Sequence, residues 1–162
     1  MPNYNVENDM AKMLKDLDDR LRNLENRPLS VGYASVVTTY AESTFSTGYN
    51  ELTTTGPTVS INVGSSGKVL LTCSANIYNG LGLNSTAYVG VGIDSATPTG
   101  SLAYILQTYA YSSTAQLQTG ASQSATVVLT GLAQGLHTFK MQYGCTLTAG
   151  FFNNRFLQVT PL

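Results

Sequence analysis

Eleven of the 17 charged side chains fall within residues 1–28, and the 134 residues that follow carry only six. A chain so divided folds as two unlike pieces. The early charges are of both signs: Glu7, Asp9, Lys12, Lys15, Asp16, Asp18, Asp19, Arg20, Arg22, Glu25 and Arg27. After Pro28 come all 15 glycines and all 21 threonines. Glycine disfavours helices and threonine favours strands, so the first piece predicts a helix and the second a β domain. The expected boundaries are 1–28 for the helical segment and 29–162 for the sandwich.

The helix carries a narrow apolar row. Leu14, Leu17, Leu21 and Leu24 are spaced by three, four and three residues, and Met10 extends the row backwards by four. This is the a/d spacing of a coiled coil. Globular helices lying on a domain usually show a wider apolar face, so a helix packed on its own sandwich is the weaker alternative. Asn5 or Asn8 can cap the start, and Pro28 stops the helix because it has no N–H and clashes with the preceding turn. Some 20 residues make a rod of about 30 Å, marginal without packing. Within it, Arg20-Leu21-Arg22-Asn23-Leu24-Glu25 resembles the short trimerisation motif of coiled coils. That resemblance implies an Arg20 stem lying over the apolar seam and a guanidinium that forks onto Glu25 of a neighbouring helix. The expected trimerisation residues are Met10, Leu14, Leu17, Arg20, Leu21, Leu24 and Glu25.

Beyond residue 28 the apolar residues alternate. Val59, Ile61 and Val63 are separated from Val69, Leu71, Cys73, Ala75 and Ile77 by Gly64-Ser65-Ser66-Gly67, which predicts a hairpin. Further runs are Ala87 to Ile93, Ala125 to Leu129, His137 to Cys145 and Phe151 to Thr160. Strands are also expected at Tyr33 to Tyr40, Tyr104 to Tyr111 and Ser113 to Thr119. Eight to ten short strands with turns every ~8–12 residues predict a mainly β fold, an antiparallel sandwich of jelly-roll type behind the coiled-coil helix.

Chemistry-bearing residues are sparse. The β domain holds Glu42, Glu51, Asp94, Lys68, Lys140, Arg155 and a single histidine, His137. No two of the acids lie near one another in sequence, no serine sits in a G-x-S-x-G elbow, and Gly90-Val91-Gly92 lacks the third glycine of a dinucleotide fingerprint. Neither a catalytic site nor a cofactor is expected. His137 shares its phase with Phe139 and Met141, as a partly buried, hydrogen-bonded histidine does; three copies meeting on an axis to hold an ion is the remote alternative. Cys73 and Cys145 sit on apolar phases, as buried free thiols or as a bridge, with no partner at metal-ligand spacing. A net charge of −1 argues against nucleic acid and anionic membranes, and no stretch reaches the ~20 apolar residues of a membrane span. No secretion signal is visible, so a protein made in a cytoplasm and starting near Met1 is expected.

The order of the segments resembles a known group. A charged heptad helix ends in Arg27-Pro28, a Ser/Thr/Gly-rich sandwich follows, and the chain closes on residues 131–143 (GLAQGLHTFKMQY) and 154–162 (NRFLQVTPL). This looks like the small head-fibre, capsid-decoration and minor tail proteins of tailed bacteriophages. The plan is also similar to trimeric jelly rolls of the tumour-necrosis-factor and complement type, which need a targeting segment not seen here. The phage resemblance implies a non-enzymatic homotrimer on the virion surface, bound to major capsid or tail proteins. Capsid decoration is favoured over tail fibre because the chain is small and has no long shaft. The alternative is a tail-tip adhesin that binds host-surface glycans through Tyr78, Asn79, Tyr109 and Tyr111, expected exposed in loops, with Asn79 to Ser85 a Gly/Asn-rich one; their rings and amide suit neutral sugars.

Overall fold

The computed structural model describes residues 6–25, 31–38, 41–80, 85–110 and 119–162, the side chains of 6–8, 23–25, 109, 110 and 119 excepted. Helix α1 spans Val6–Glu25. Among the described residues nine strands follow: β1 (Gly32–Val36), β2 (Glu42–Thr44), β3 (Thr58–Val63), β4 (Val69–Asn79), β5 (Ser85–Ile93), β6 (Leu106–Ala110), β7 (Thr119–Leu129), β8 (Gly135–Cys145) and β9 (Gly150–Pro161). A short 3₁₀ turn lies at Gly100–Leu102. The boundary expected at Pro28, and the strand expected at Ser113 to Thr119 save its last residue, lie outside the described residues.

The strands form two antiparallel sheets. One runs β1-β9-β4-β7, with β2 also pairing to β9, and the other runs β3-β8-β5-β6. Alternation does the work in each. In β4, Val69, Leu71, Cys73, Ala75 and Ile77 are buried while the residues between them are half-buried. In β3, Val59, Ile61 and Val63 are buried between exposed Thr58, Ser60 and Asn62. With Val89, Val91, Phe139, Met141, Tyr143, Phe152, Leu157 and Val159 they close one core between the sheets. Side chains of one phase point inward, where each fully buried aliphatic group is worth about 1.5–3 kcal/mol.

The hairpin expected between β3 and β4 does not form. β3 pairs with β8, and β4 pairs with β7 and β9, in the other sheet. The Gly64-Ser65-Ser66-Gly67 turn is present, closed by the Gly67 N–H donating to the Gly64 carbonyl at 3.1 Å with Gly67 at φ 60°. It arches from one sheet to the other. Both flanking runs bury one phase against the same core, from opposite sides, which alternation alone does not distinguish from pairing side by side.

β9 carries a bulge that moves its inward phase by one residue. Ser74 faces Phe156 and Asn76 faces Asn153, so Asn154 and Arg155 together oppose Ala75. Asn154 takes φ 48°, a left-handed conformation asparagine tolerates better than most residues. Phe152 points inward before the bulge and Arg155, Leu157 and Val159 after it. Arg155 is thereby driven into the sandwich.

Candidate assembly site

The helix stripe is uncovered. Met10, Leu14, Leu17 and Leu21 are 60%, 65%, 58% and 49% exposed, and Met13 beside them is 71% exposed. Arg20 is exposed on the same stretch, and Leu24 and Glu25 belong to the last turn of α1, their side chains outside the described residues. Among the described residues the structure thus shows one helix, with an apolar row. The one described ion pair of the helix joins Arg22 to Asp18 at 3.1 Å, one turn apart and exposed, where such pairs add little.

A second surface is as notable for what it lacks. The outward phase of the β1-β9-β4-β7 sheet holds Tyr33 and Ser35, then Phe156 and Gln158, then Thr72, Ser74, Asn76 and Tyr78, then Ser122, Ser124, Thr126 and Val128. None of these strand positions is charged. Several hydroxyls and amides bond within the face: Thr72 Oγ1 lies 3.0 Å from Thr126 Oγ1, and Ser122 Oγ donates to Asn76 Oδ1 at 2.6 Å.

The outer face of the other sheet is roofed by the chain itself. Tyr49, Tyr88 and Tyr104 form a cluster with ring centroids 4.7–6.1 Å apart. The Tyr88 hydroxyl donates to the Thr47 carbonyl at 2.7 Å, and Tyr49 Oη accepts the Tyr104 N–H at 2.8 Å. Gly90 and Gly144 make the space. A Cβ on Gly90 would stand 2.5 Å from the Tyr49 ring and 2.6 Å from Pro98, and one on Gly144 would stand 2.5 Å from the Tyr88 ring. The cluster was missed in the sequence; glycines on the outward phase of strands beside tyrosines were the signal. Tyr104 remains 52% exposed, at φ 52°.

The three acids of the β domain each pair with a basic side chain. Arg155 is fully buried and its Nη2 meets Glu42 Oε2 at 2.6 Å, while its Cζ lies 5.3 Å from the Tyr143 ring centre. Burial works to raise the Glu42 pKa, but the hydrogen bond from Thr54 and the Arg155 charge outweigh it and hold the carboxyl below its usual value. Lys140 pairs with Glu51 at 2.6 Å. Asp94 meets His137 Nδ1 at 2.6 Å and accepts the Thr138 N–H at 2.9 Å. His137 Nε2 lies 2.8 Å from the Ala133 carbonyl, which can only accept. When protonated, the imidazole can donate from both nitrogens, and its pKa is raised by the Ala133 carbonyl first and by Asp94 second. Among the described residues no three His, Cys, Asp or Glu side chains gather as metal ligands.

Both cysteines are free and buried. Burial pushes the Cys73 thiol up to about 12. Among the described residues no helix is long and apolar enough to cross a membrane.

Of the residues expected to contact glycans, the structure describes the side chains of Tyr78 and Asn79. Asn79 is fully buried: its amide donates to the Ser85 and Thr108 carbonyls, and Thr148 Oγ1 lies 3.4 Å from its Oδ1. It ties β4 to β5 and β6 and has no surface to offer a sugar, because a loop residue expected outside is instead the last inward-phase residue of β4. Tyr78 is half-buried, its ring lying against Gly120. Tyr109 belongs to β6, its side chain outside the described residues, as is all of Tyr111.

No protein-family model matches the chain, and no curated protein matches it in sequence. Among solved structures it is similar to the Eiger TNF of S. frugiperda, with a TM-score of 0.52 and 13% identity over 84% of this chain and 94% of that one. It also aligns with murine APRIL at 12% identity and a TM-score of 0.43, over 82% of this chain and all of that one. The first likeness, with the two antiparallel sheets, shows the fold: a mainly β sandwich of the TNF jelly-roll kind. Neither neighbour is a phage protein.

Proposed function

We propose that this chain is a non-enzymatic structural protein that works as a homotrimer displayed on the surface of a tailed-bacteriophage particle. The observation that carries the reading is the row of Met10, Leu14, Leu17 and Leu21, half to two-thirds exposed on a helix that the sandwich leaves bare. A helix of this length gains most of its stability from packing, and burial of one leucine is worth about 1.5–3 kcal/mol. Parallel copies supply that packing, with Leu24 closing the row and Arg20 and Glu25 bridging neighbours. The pairing of Glu42, Glu51 and Asp94 with Arg155, Lys140 and His137 supports a non-enzymatic role, since it leaves these acids engaged with structural partners. Capsid decoration or a head fibre, seated on the major capsid protein, suits a short helix with a single sandwich. The test is electron microscopy of purified particles with gold-labelled antibody to the sandwich. Label on the head at regular positions supports the reading; unlabelled particles contradict it.

A second reading is a minor tail protein acting as an adhesin. The half-exposed ring of Tyr104, backed by Tyr49 and Tyr88, is the feature that favours it, because a rigid aromatic face stacks on sugars. Binding to a host-glycan array that is lost in Tyr104→Ala distinguishes it from capsid decoration.

A further inference from the structure

We infer that His137 is the catch of a pH-dependent latch, which holds the loop between β7 and β8 against the sandwich while both ring nitrogens carry a proton and releases it when one proton leaves. Two acceptors flank the ring. An Asp94 carboxylate oxygen lies 2.6 Å from Nδ1 and the Ala133 carbonyl oxygen 2.8 Å from Nε2. Neither an ionised carboxylate nor a carbonyl can donate, so both contacts are hydrogen bonds only in the imidazolium cation. A neutral imidazole has one N–H to give and meets the other acceptor with a lone pair.

Which contact yields follows from how each acceptor is held. Asp94 is fastened to β8: its N–H donates to the Thr138 carbonyl at 2.8 Å, and its Oδ1 accepts the Thr138 N–H at 2.9 Å. These bonds keep Asp94 and Ser95 at φ 52° and 70°, two left-handed residues in a row. The carboxylate is also the stronger acceptor, because it is charged. The last proton therefore stays on Nδ1, and Nε2 turns its lone pair on Ala133. Ala133 is exposed, so its carbonyl can rotate to water instead. The loop can follow. Gly131 and Gly135 bracket it at φ 79° and 138°, and a Cβ at either would meet nothing within 4 Å among the described residues. Leu132 stays tied by its N–H to the Gly67 carbonyl at 3.1 Å, so the part set free is residues 133–135.

The elements against β8 bring few other ionisable groups. β3 has none, β5 has Tyr88, bonded to the Thr47 carbonyl, and Arg155 of β9 is bonded to Glu42 of β2. On β8 itself Lys140 pairs with Glu51, and Lys68 stands just before β4. The Ala133 carbonyl first and Asp94 second raise the His137 pKa, so the latch is shut in mild acid and opens as pH rises through a value above the usual one of about 6.5. Ile61, paired with His137, also lies against Gly32 at the start of β1. The latch thus stands at the end of the sandwich where β1 begins.

The experiment places a nitroxide on Gln134→Cys in the full chain and reads its mobility by electron spin resonance from about pH 5 to 9. Gln134 is exposed and both native cysteines are buried, so the added thiol takes the label. The expected result is a label that gains mobility as pH rises, with the midpoint of the His137 proton titration seen by NMR. In His137→Gln, whose amide does not titrate, the mobility should not change with pH. In Asp94→Asn, which keeps an acceptor for the Thr138 N–H, the midpoint should fall by about one pH unit. Circular dichroism establishes that each variant folds; should one not, the other decides. A label indifferent to pH, a change that persists in His137→Gln, or a midpoint that Asp94→Asn leaves in place overturns the inference.

Discussion

The guanidinium of Arg155, wholly enclosed in the sandwich, meets the carboxylate of Glu42 across 113 residues of sequence at 2.6 Å. It is delivered there by the bulge at Asn154–Arg155, and it joins β9 to the short strand β2. Removing one partner of such a pair leaves a buried charge uncompensated. Arg155→Ala should cost about 3–5 kcal/mol of stability, whereas Arg155→Met with Glu42→Gln should cost markedly less. Urea unfolding of the two variants checks this. The Glu42 pKa is lowered by folding, so its contribution is present above the usual glutamate value and is lost as pH falls through the lower folded value. The parent should thus lose more stability on acidification than the double variant does.

His137 behaves in the opposite sense. Its folded pKa is raised, so the stability it contributes is complete below its unfolded value of about 6.5 and disappears as pH rises through the folded value. His137→Gln should therefore lower the melting temperature most at pH 5–6 and least at pH 9. As the single histidine of the chain, its imidazole gives one proton titration by NMR, whose midpoint should lie above that of a free histidine.

The tyrosine cluster over β5 and β8 depends on absent side chains. Gly144→Ala places a methyl 2.5 Å from the Tyr88 ring and should destabilise by about 1–3 kcal/mol. Tyr88→Phe in that background relieves the clash only in part, because a Cβ would stand 2.6 Å from the hydroxyl but also 2.5 Å from the ring; thermal melting of the three proteins tests both statements.

Cys73 is enclosed and its thiol is pushed up to about 12, and burial also raises Cys145. Neither thiol should react with a thiol-specific reagent in the native protein near neutral pH, and both should react after denaturation. Rapid native labelling, or a disulfide found by mass spectrometry, contradicts this.

Much of the fold was legible, for a local reason. Val69 to Ile77 alternates cleanly, and the structure buries the phase that alternation selects. What alternation does not encode is which strand lies alongside, so the Gly64–Gly67 turn read as a hairpin where it is an arch between sheets. The bulge was visible only as an odd spacing: Phe152 and Leu157 are five residues apart, yet both point inward. Asn79 was placed outside because asparagine next to glycine suggests a loop, while the last inward position of β4 needed a side chain able to hold two carbonyls. The apolar row of α1 was read directly, since a helix fixes which residues share a face without help from the rest of the chain.

That row is also where the account is most exposed. Sedimentation velocity of the intact chain at micromolar concentration should give three times the 17.2 kDa chain mass, and Leu21→Asp, which sets three carboxylates into one buried layer, should shift it toward a single chain. A parent that sediments at one chain mass, or a Leu21→Asp variant indistinguishable from the parent, contradicts assembly through the helix.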